Sequence, residues 1–562
     1  MSKPTIRPQP IILVRGFGGL NTDDEKKLTY QGFNDGSVYP HKQGENYIYE
    51  GMLLRFMKSN WKYQDATNVV GYYGNPITNE PILPGKLQYL EKMIDDGSIL
   101  PTQLQKLKDW DVINKFKQLK EKGYFSGDKV IVNPAMALYL LESTENPCSS
   151  LWVFRYYDLN DRKFETYGKA LVRLIDFIRE LTVMQNDVEP PKVNIIAHSM
   201  GGLVVREAVQ RSYPGDNRKA EDYINKIVTL GTPHRGVTVQ ILRDWIGIEA
   251  ANELQHFNPG FQEDENEPAS YKHFKDHFPL DRLLTVVGTN YRSYSVKPAS
   301  LGNRFFSATD EYGPNYNRSD GLVKQISAQI PGAPRTFVHK CHGGFDSIIT
   351  SRESFEIATR FFFGNVRSRL RLIKAKITRG QDWFGKSEFF LGVSIKPRRV
   401  DFELFHQSAE AENCYGPFTK DDLSDENVAF DWADDNKLIW EGFLDTTPIL
   451  QDESISLKDM VMRLDFYVGE RDLLGIGFSD NVIFRKQYYI RALLPPNLKL
   501  YLHTSEEFAP LGFNPSSQHE MRQTPEGWEF DVQGTGFEGT FRIEIDRVPE
   551  EGEPVPLIES MT

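Results

Sequence analysis

At 562 residues the chain is longer than one hydrophobic core ordinarily serves, so two or more domains are expected. Hydrophobic residues at 40% and charged residues at 26% make a globular composition. The net charge of −12 argues against non-specific nucleic-acid binding and against docking on anionic lipid by charge. Cys148, Cys341 and Cys414 are too few and too scattered for a disulfide framework or a zinc pattern. No apolar segment of signal-peptide length lies in Met1–Pro10, and no apolar run of membrane-spanning length occurs. The expectation is a soluble cytoplasmic protein, or a secreted one if a leader has been lost.

The first apolar run, Ile11–Val14, leads into Arg15-Gly16-Phe17-Gly18-Gly19 and reads as a buried parallel strand ending in a tight loop. Residues 21–150 form a large insertion, with helices expected over Tyr49–Met57 and Leu87–Leu119. Strand Leu151–Tyr157 follows, then a helix with Leu171, Leu174, Ile175, Ile178 and Leu181 on one face. Strand Val193–Ile196 runs into Ala197-His198-Ser199-Met200-Gly201-Gly202, and a helix follows from Leu203 to Arg211. Strands Ile227–Leu230, Leu284–Val287 and Thr336–Val338 come next, with a closing helix over Glu353–Phe363. Strands alternating with helices imply a parallel sheet with right-handed crossovers and helices on both faces. After Gly364 the pattern changes to period-2 runs: Phe389–Ile395, Val400–Phe405, Met462–Val468, Trp528–Val532 and Phe541–Ile545. These read as an antiparallel β-sandwich, so the domains are placed at 1–364 and 365–562.

Chemistry concentrates in the first part. Ala197-His198-Ser199-Met200-Gly201 fits a nucleophile elbow with Ala in place of the first glycine. The positions two before and two after the serine must be nearly without side chain, so that strand and helix can approach. Such a turn lifts Ser199 to the carboxyl ends of the strands, where open α/β sheets bind ligands. Acyl transfer develops charge on a carbonyl oxygen, which two fixed N–H donors must meet. The expected donors are the backbone N–H groups of Met200 and Phe17.

The serine needs a base, and the base needs an orienting carboxylate, in the chain order Ser, acid, His. His198 adjoins the nucleophile and cannot fold back to it. His234, in Thr232-Pro233-His234-Arg235-Gly236, reads as part of a structural loop, and His256, His273 and His277 lie in a polar stretch. His342, followed by Gly343-Gly344, is the expected base, with His339 as runner-up. Asp320, in a turn 22 residues ahead of His342, is the expected acid; Asp310 and Asp346 are alternatives.

These segments together resemble the bacterial triacylglycerol lipases and esterases of the α/β-hydrolase fold. The likeness rests on Val14–Gly19, Ala197–Gly202, Leu230–Gly236, Ser319–Val323 and His342. It implies ester hydrolysis through the triad Ser199, Asp320 and His342, acting on an ester or lipid substrate without metal or organic cofactor. Some such lipases bind calcium, but no ligand spacing here establishes it. Arg15 stands where these lipases usually have His, and the insertion is larger than in compact members. An acyltransferase or a short-chain carboxylesterase would use the same acyl-enzyme. Val239, Ile241, Leu242, Trp245, Ile246 and Ile248, at helical spacing within 237–280, suit a lid or a buried helix. Oligomeric state is not legible.

Overall fold

Ile11–Val14 form β1, and all four residues are fully buried, as a strand covered on both faces requires. The computed structural model describes residues 8–16, 51–70, 85–98, 108–125, 132–144, 146–154, 156, 163–183, 189–235, 274–293, 318–343, 346–378, 387–398, 400–420, 437–451, 458–471, 481–494, 498–508, 513–549 and 555–556. Two compact units divide the chain: Met1–Leu283 with Gly343–Phe345, and Leu284–His342 with Asp346–Thr562.

In the first unit β1 lies between β3 (Ser150–Phe154) and β4 (Val193–His198), with Ile11 opposite both Leu151 and Asn194. β2 (Gln64–Asp65) flanks β3, and β5 (Ile224–Leu230) flanks β4. Every one of these pairings is parallel. Helix Phe164–Thr182 buries Leu171, Leu174, Ile175, Ile178 and Leu181, the face that their spacing marks. It packs on helix Met200–Val209, and Gly168 lies at that contact: a Cβ there would stand 2.6 Å from Glu207 Cγ. β2 belongs to the insertion and was invisible in the sequence, being two exposed polar residues. The stretch Leu87–Leu119 is not one helix but holds parts of two, Gly85–Asp95 and Lys108–Glu121. The first stops just before Gly97, whose φ is +73°.

In the second unit, β6 (Leu283–Gly288, in this unit from Leu284 on) pairs in parallel with β7 (Arg335–Val338), Thr285 opposite Arg335. Within the first unit the strand order is β2-β3-β1-β4-β5. Helix Arg352–Phe363 follows, and β8 (Val366–Ile377) begins three residues after it. The remaining strands are β9 (Glu388–Pro397), β10 (Tyr415–Phe418), β11 (Leu438–Leu444), β12 (Asp459–Arg471), β13 (Asn481–Leu493) and β14 (Lys499–His503). β15 (Arg522–Thr524), β16 (Gly527–Gly534), β17 (Phe537–Arg547) and β18 (Val555–Pro556) complete them. They form two antiparallel sheets, β10-β9-β12-β13-β14 and β11-β8-β17-β16-β15, with β18 on β17.

The two sheets meet through aromatic rings: Phe466 of β12 sits 4.7 Å from Phe541 and 6.3 Å from Phe530. On β8, Arg367, Arg369 and Arg371 alternate with buried Ser368, Leu370 and Leu372. The arginines pair with Glu441, Glu544 and Asp546 of the neighbouring strands.

Val400–Phe405 is not a strand. Asp401 and Glu403 do alternate with buried Phe402 and Leu404, but Phe405 is buried as well, and its bridge to Ile395 is an isolated one rather than part of a ladder. It is instead a connector. Leu404 N–H donates to Ile395 O (2.9 Å) and Ile395 N–H to Phe405 O (2.8 Å). On its other side His406 N–H donates to Phe337 O (3.0 Å) and Thr336 Oγ1 to Leu404 O (2.5 Å). The outer edge of β7 is thereby covered by the β-rich part of the chain. Among the described residues no helix is long and apolar enough to cross a membrane.

Candidate active site

Ser199 lies between the end of β4 and the start of helix Met200–Val209, with φ 53° and ψ −128°. A β-carbon there is strained by roughly 1–3 kcal/mol, and such strain persists only where the surroundings impose it. Ser199 N–H donates to Leu230 O (3.0 Å), and Gly202 N–H donates to Ser199 O (3.0 Å).

Glycines explain how the turn closes. A Cβ on Gly201 would stand 2.4 Å from Arg15 O and 2.5 Å from Val14 O, so the helix start rests directly on the end of β1. A Cβ on Gly16 would lie 2.6 Å from His198 Nδ1 and 3.0 Å from Ser199 Cβ. Gly16, directly after β1 and Arg15, is therefore pressed against His198 and Ser199. Met200 opens the helix, where N–H groups have no intrahelical acceptor. Phe17, the other expected donor, lies outside the described residues, as do Asp310, Trp245 and the proposed lid as far as residue 273.

The Thr232–Arg235 loop is a buttress. Thr232 fills the space that Gly202 leaves, and His234 is fully buried, with Nε2 3.0 Å from Thr229 Oγ1. Arg206 Nη1 donates to His234 O (2.6 Å). Burial, then the Arg206 charge, hold this imidazole well below its ordinary pKa.

In the second unit, Asp320 and His342 are brought together. His342 Nδ1 stands 2.8 Å from Asp320 Oδ2, and both side chains are buried. Asp320 Oδ1 accepts from the N–H groups of Leu322 (3.0 Å) and Val323 (2.8 Å), and Asp320 O accepts from His342 N–H (2.9 Å). With Nδ1–H directed to the carboxylate, Nε2 is the basic nitrogen. His342 follows the carboxyl end of β7, and Asp320 rests against the carboxyl end of β6. A Cβ on Gly288 would meet Asp320 Cβ at 2.8 Å.

His339 is differently placed. Its Nδ1 is 3.2 Å from Thr289 Oγ1 and its ring 5.2 Å from that of His406; burial, then His406, lower its pKa. Asp346 pairs with Lys340 at 2.7 Å. Gly288 and Thr289 escaped the sequence reading because their roles depend on residues 30 to 50 positions away. Among the described residues no group of three or more His, Cys, Asp or Glu side chains is placed to hold a metal ion.

A parallel sheet with a strained serine at a strand-to-helix elbow defines the α/β-hydrolase fold. Residues 123–286 match the family described as PGAP1-like alpha/beta domain. Similar solved structures include the mature form of the Bacillus licheniformis lipase BlEst2, at 19% identity and a TM-score of 0.26, over 38% of this chain and 78% of that one. Its propeptide form aligns at 13% identity and a TM-score of 0.27, over 63% and 88%. Phospholipase PlaB from Legionella pneumophila aligns at 12% identity and a TM-score of 0.25, over 66% and 84%. No curated protein sequence matches the chain.

Proposed function

We propose that the chain is a serine hydrolase that cleaves carboxylic esters in the manner of a lipase, through an acyl-enzyme on Ser199. The observation that carries this reading is the backbone of Ser199. A β-carbon held at φ 53° and ψ −128° between two glycine contacts is costly, and presenting a nucleophile justifies that cost.

In this reading His342 Nε2 takes the proton from Ser199 Oγ as it attacks the ester carbonyl. Asp320 keeps His342 in the right tautomer and stabilises its cation. The N–H groups of Met200 and Phe17 hold the oxyanion. His342 then returns the proton to the leaving alcohol and activates the water that frees the acid. Support comes from the buried Asp320–His342 bond and from loops that all follow carboxyl ends of parallel strands.

The test is a fluorophosphonate label with p-nitrophenyl esters of graded chain length. Labelling lost in Ser199→Ala, with hydrolysis of medium or long acyl esters, is the expected result. Activity surviving in Ser199→Ala overturns the assignment. Ester exchange to an alcohol in preference to water would make the enzyme an acyltransferase, and acetate esters as best substrates a carboxylesterase.

A further inference from the structure

Backbone strain at Ser199 requires surroundings that impose it, and the loop after β5 supplies one of them. Leu230, the last residue of β5, gives its carbonyl to Ser199 N–H (3.0 Å). Two residues on, Thr232 lies so close to helix Met200–Val209 that a Cβ on Gly202 would stand 2.1 Å from its Oγ1 and 2.5 Å from its Cγ2. The start of that helix thus has two walls, the backbone oxygens of Val14 and Arg15 against Gly201 and Thr232 against Gly202. The first wall is fixed, because β1 is paired on both sides by β3 and β4. The second is a loop entered through Gly231 at φ 55°, a residue free to turn elsewhere. Something must hold it.

Two side chains do. His234 reaches back to β5, its Nε2 3.0 Å from Thr229 Oγ1, while its N–H donates to Thr232 O (2.9 Å). Arg206, from helix Met200–Val209 itself, donates through Nη1 to His234 O (2.6 Å), with its guanidinium carbon 5.7 Å from the centroid of the Phe274 ring. Helix and loop are therefore tied at one end by Ser199 and Leu230 and at the other by Arg206 and His234, with Thr232 wedged between. Resting on the reading of Ser199 as an ester-cleaving nucleophile, we propose that Arg206 and His234 are positioning residues: they latch the loop that keeps Ser199 in its strained, nucleophile-presenting conformation. Both are buried, so they act through the loop and not on substrate.

Arg206→Met removes the donor and keeps an unbranched buried chain. Its kcat for a soluble ester should fall at least about tenfold with KM unchanged, since misplaced catalytic groups cost up to about a hundredfold. Fluorophosphonate labelling of Ser199 should slow in parallel, and Arg206→Lys, which keeps a donor, should recover part of the rate. Thr229→Val removes the hydroxyl that faces His234 and should behave as Arg206→Met does. A double-mutant cycle with Ser199→Gly separates positioning from stability alone. Glycine relieves the strain, so it should raise the urea midpoint in the wild-type background. The gain should be clearly smaller in Arg206→Met and Thr229→Val, where the serine has already relaxed. An equal gain in all three backgrounds, or no gain in any, overturns the proposal, as does an unchanged kcat in either folded variant. A wild-type protein that never labels at Ser199 overturns the ester-hydrolase reading and the positioning role that rests on it, whatever the cycle shows.

Discussion

Asp320 divides its carboxylate, giving Oδ2 to His342 Nδ1 at 2.8 Å and Oδ1 to the backbone N–H groups of Leu322 and Val323. The backbone bonds fix the carboxylate, and the carboxylate fixes the imidazole. Asp320→Asn and His342→Ala should each lower kcat by roughly 10³–10⁴-fold, while His339→Ala, which lacks the Asp320 bond, should retain most activity. Ester turnover by the three purified variants decides it, and the opposite ranking would make His339 the base.

The strain at Ser199 makes a stability prediction independent of substrate. Ser199→Gly removes the β-carbon from φ 53° and should raise stability by up to roughly 1–2 kcal/mol while abolishing activity. Urea midpoints of wild type and variant measure it. A lower midpoint would mean that the conformation is not strained.

Gly201→Ala should be costly by about 1–3 kcal/mol or more, because the new methyl meets backbone oxygens of Val14 and Arg15 that cannot swing aside. Gly85→Ala is the counterpart. Nothing lies within 4 Å of its Cβ position, and alanine should stabilise that helix by a few tenths to about 1 kcal/mol. Both are read from denaturation midpoints, and equal effects would contradict the close packing of elbow on β1.

Neither ring nitrogen of His503 has a hydrogen-bond partner among the described residues, and the side chain is buried. Burial, then His519 with its ring 4.6 Å away, then Arg491, lower the pKa to about 4. The unfolded chain takes up this proton near pH 6.5, so between pH 6.5 and 4 the unfolded state binds more protons. Stability attributable to His503 is therefore complete above that window and is lost as pH falls through it. His503→Phe should flatten this acid-side slope in urea midpoints measured against pH, and an unchanged slope would assign the loss to other groups.

The strand-to-helix turn at Ser199 was legible because its requirements are local. Ala197, Gly201 and Gly202 must be small for reasons that act within a few residues of Ser199. The parallel strands were legible for a similar reason, since burial on both faces demands runs such as Ile11–Val14. β8 was missed because arginines paired with β11 and β17 occupy one of its faces, and unpaired they look like a solvated segment. The role of Val400–Phe405 was illegible because its partners, Ile395 and Thr336–Phe337, lie on two different sheets.

Truncation at Gly364 keeps every expected catalytic residue yet should not give a working enzyme. Arg318 donates to Cys414 O (3.2 Å), Gln325 to Ala411 O (3.1 Å) and Arg335 to Tyr415 OH (2.9 Å), all from buried side chains. Removing those partners leaves polar groups unsatisfied at about 1–3 kcal/mol each around the Asp320 and His342 segments. The fragment should aggregate on size exclusion and fail to turn over a soluble ester. A monodisperse, active fragment would show that these contacts are dispensable.

The cover that Leu404–His406 lays along β7 also sets a timetable. A ribosome delivers Ser199 and its elbow hundreds of residues before the chain ends, whereas β7 gains its outer neighbour only once residue 406 has emerged. Tyr415, which holds Arg335 at the start of the same strand, comes later still. The nascent protein therefore carries Ser199 for some time before the strand preceding His342 is secured, and on the proposed reading it is armed late in its own synthesis.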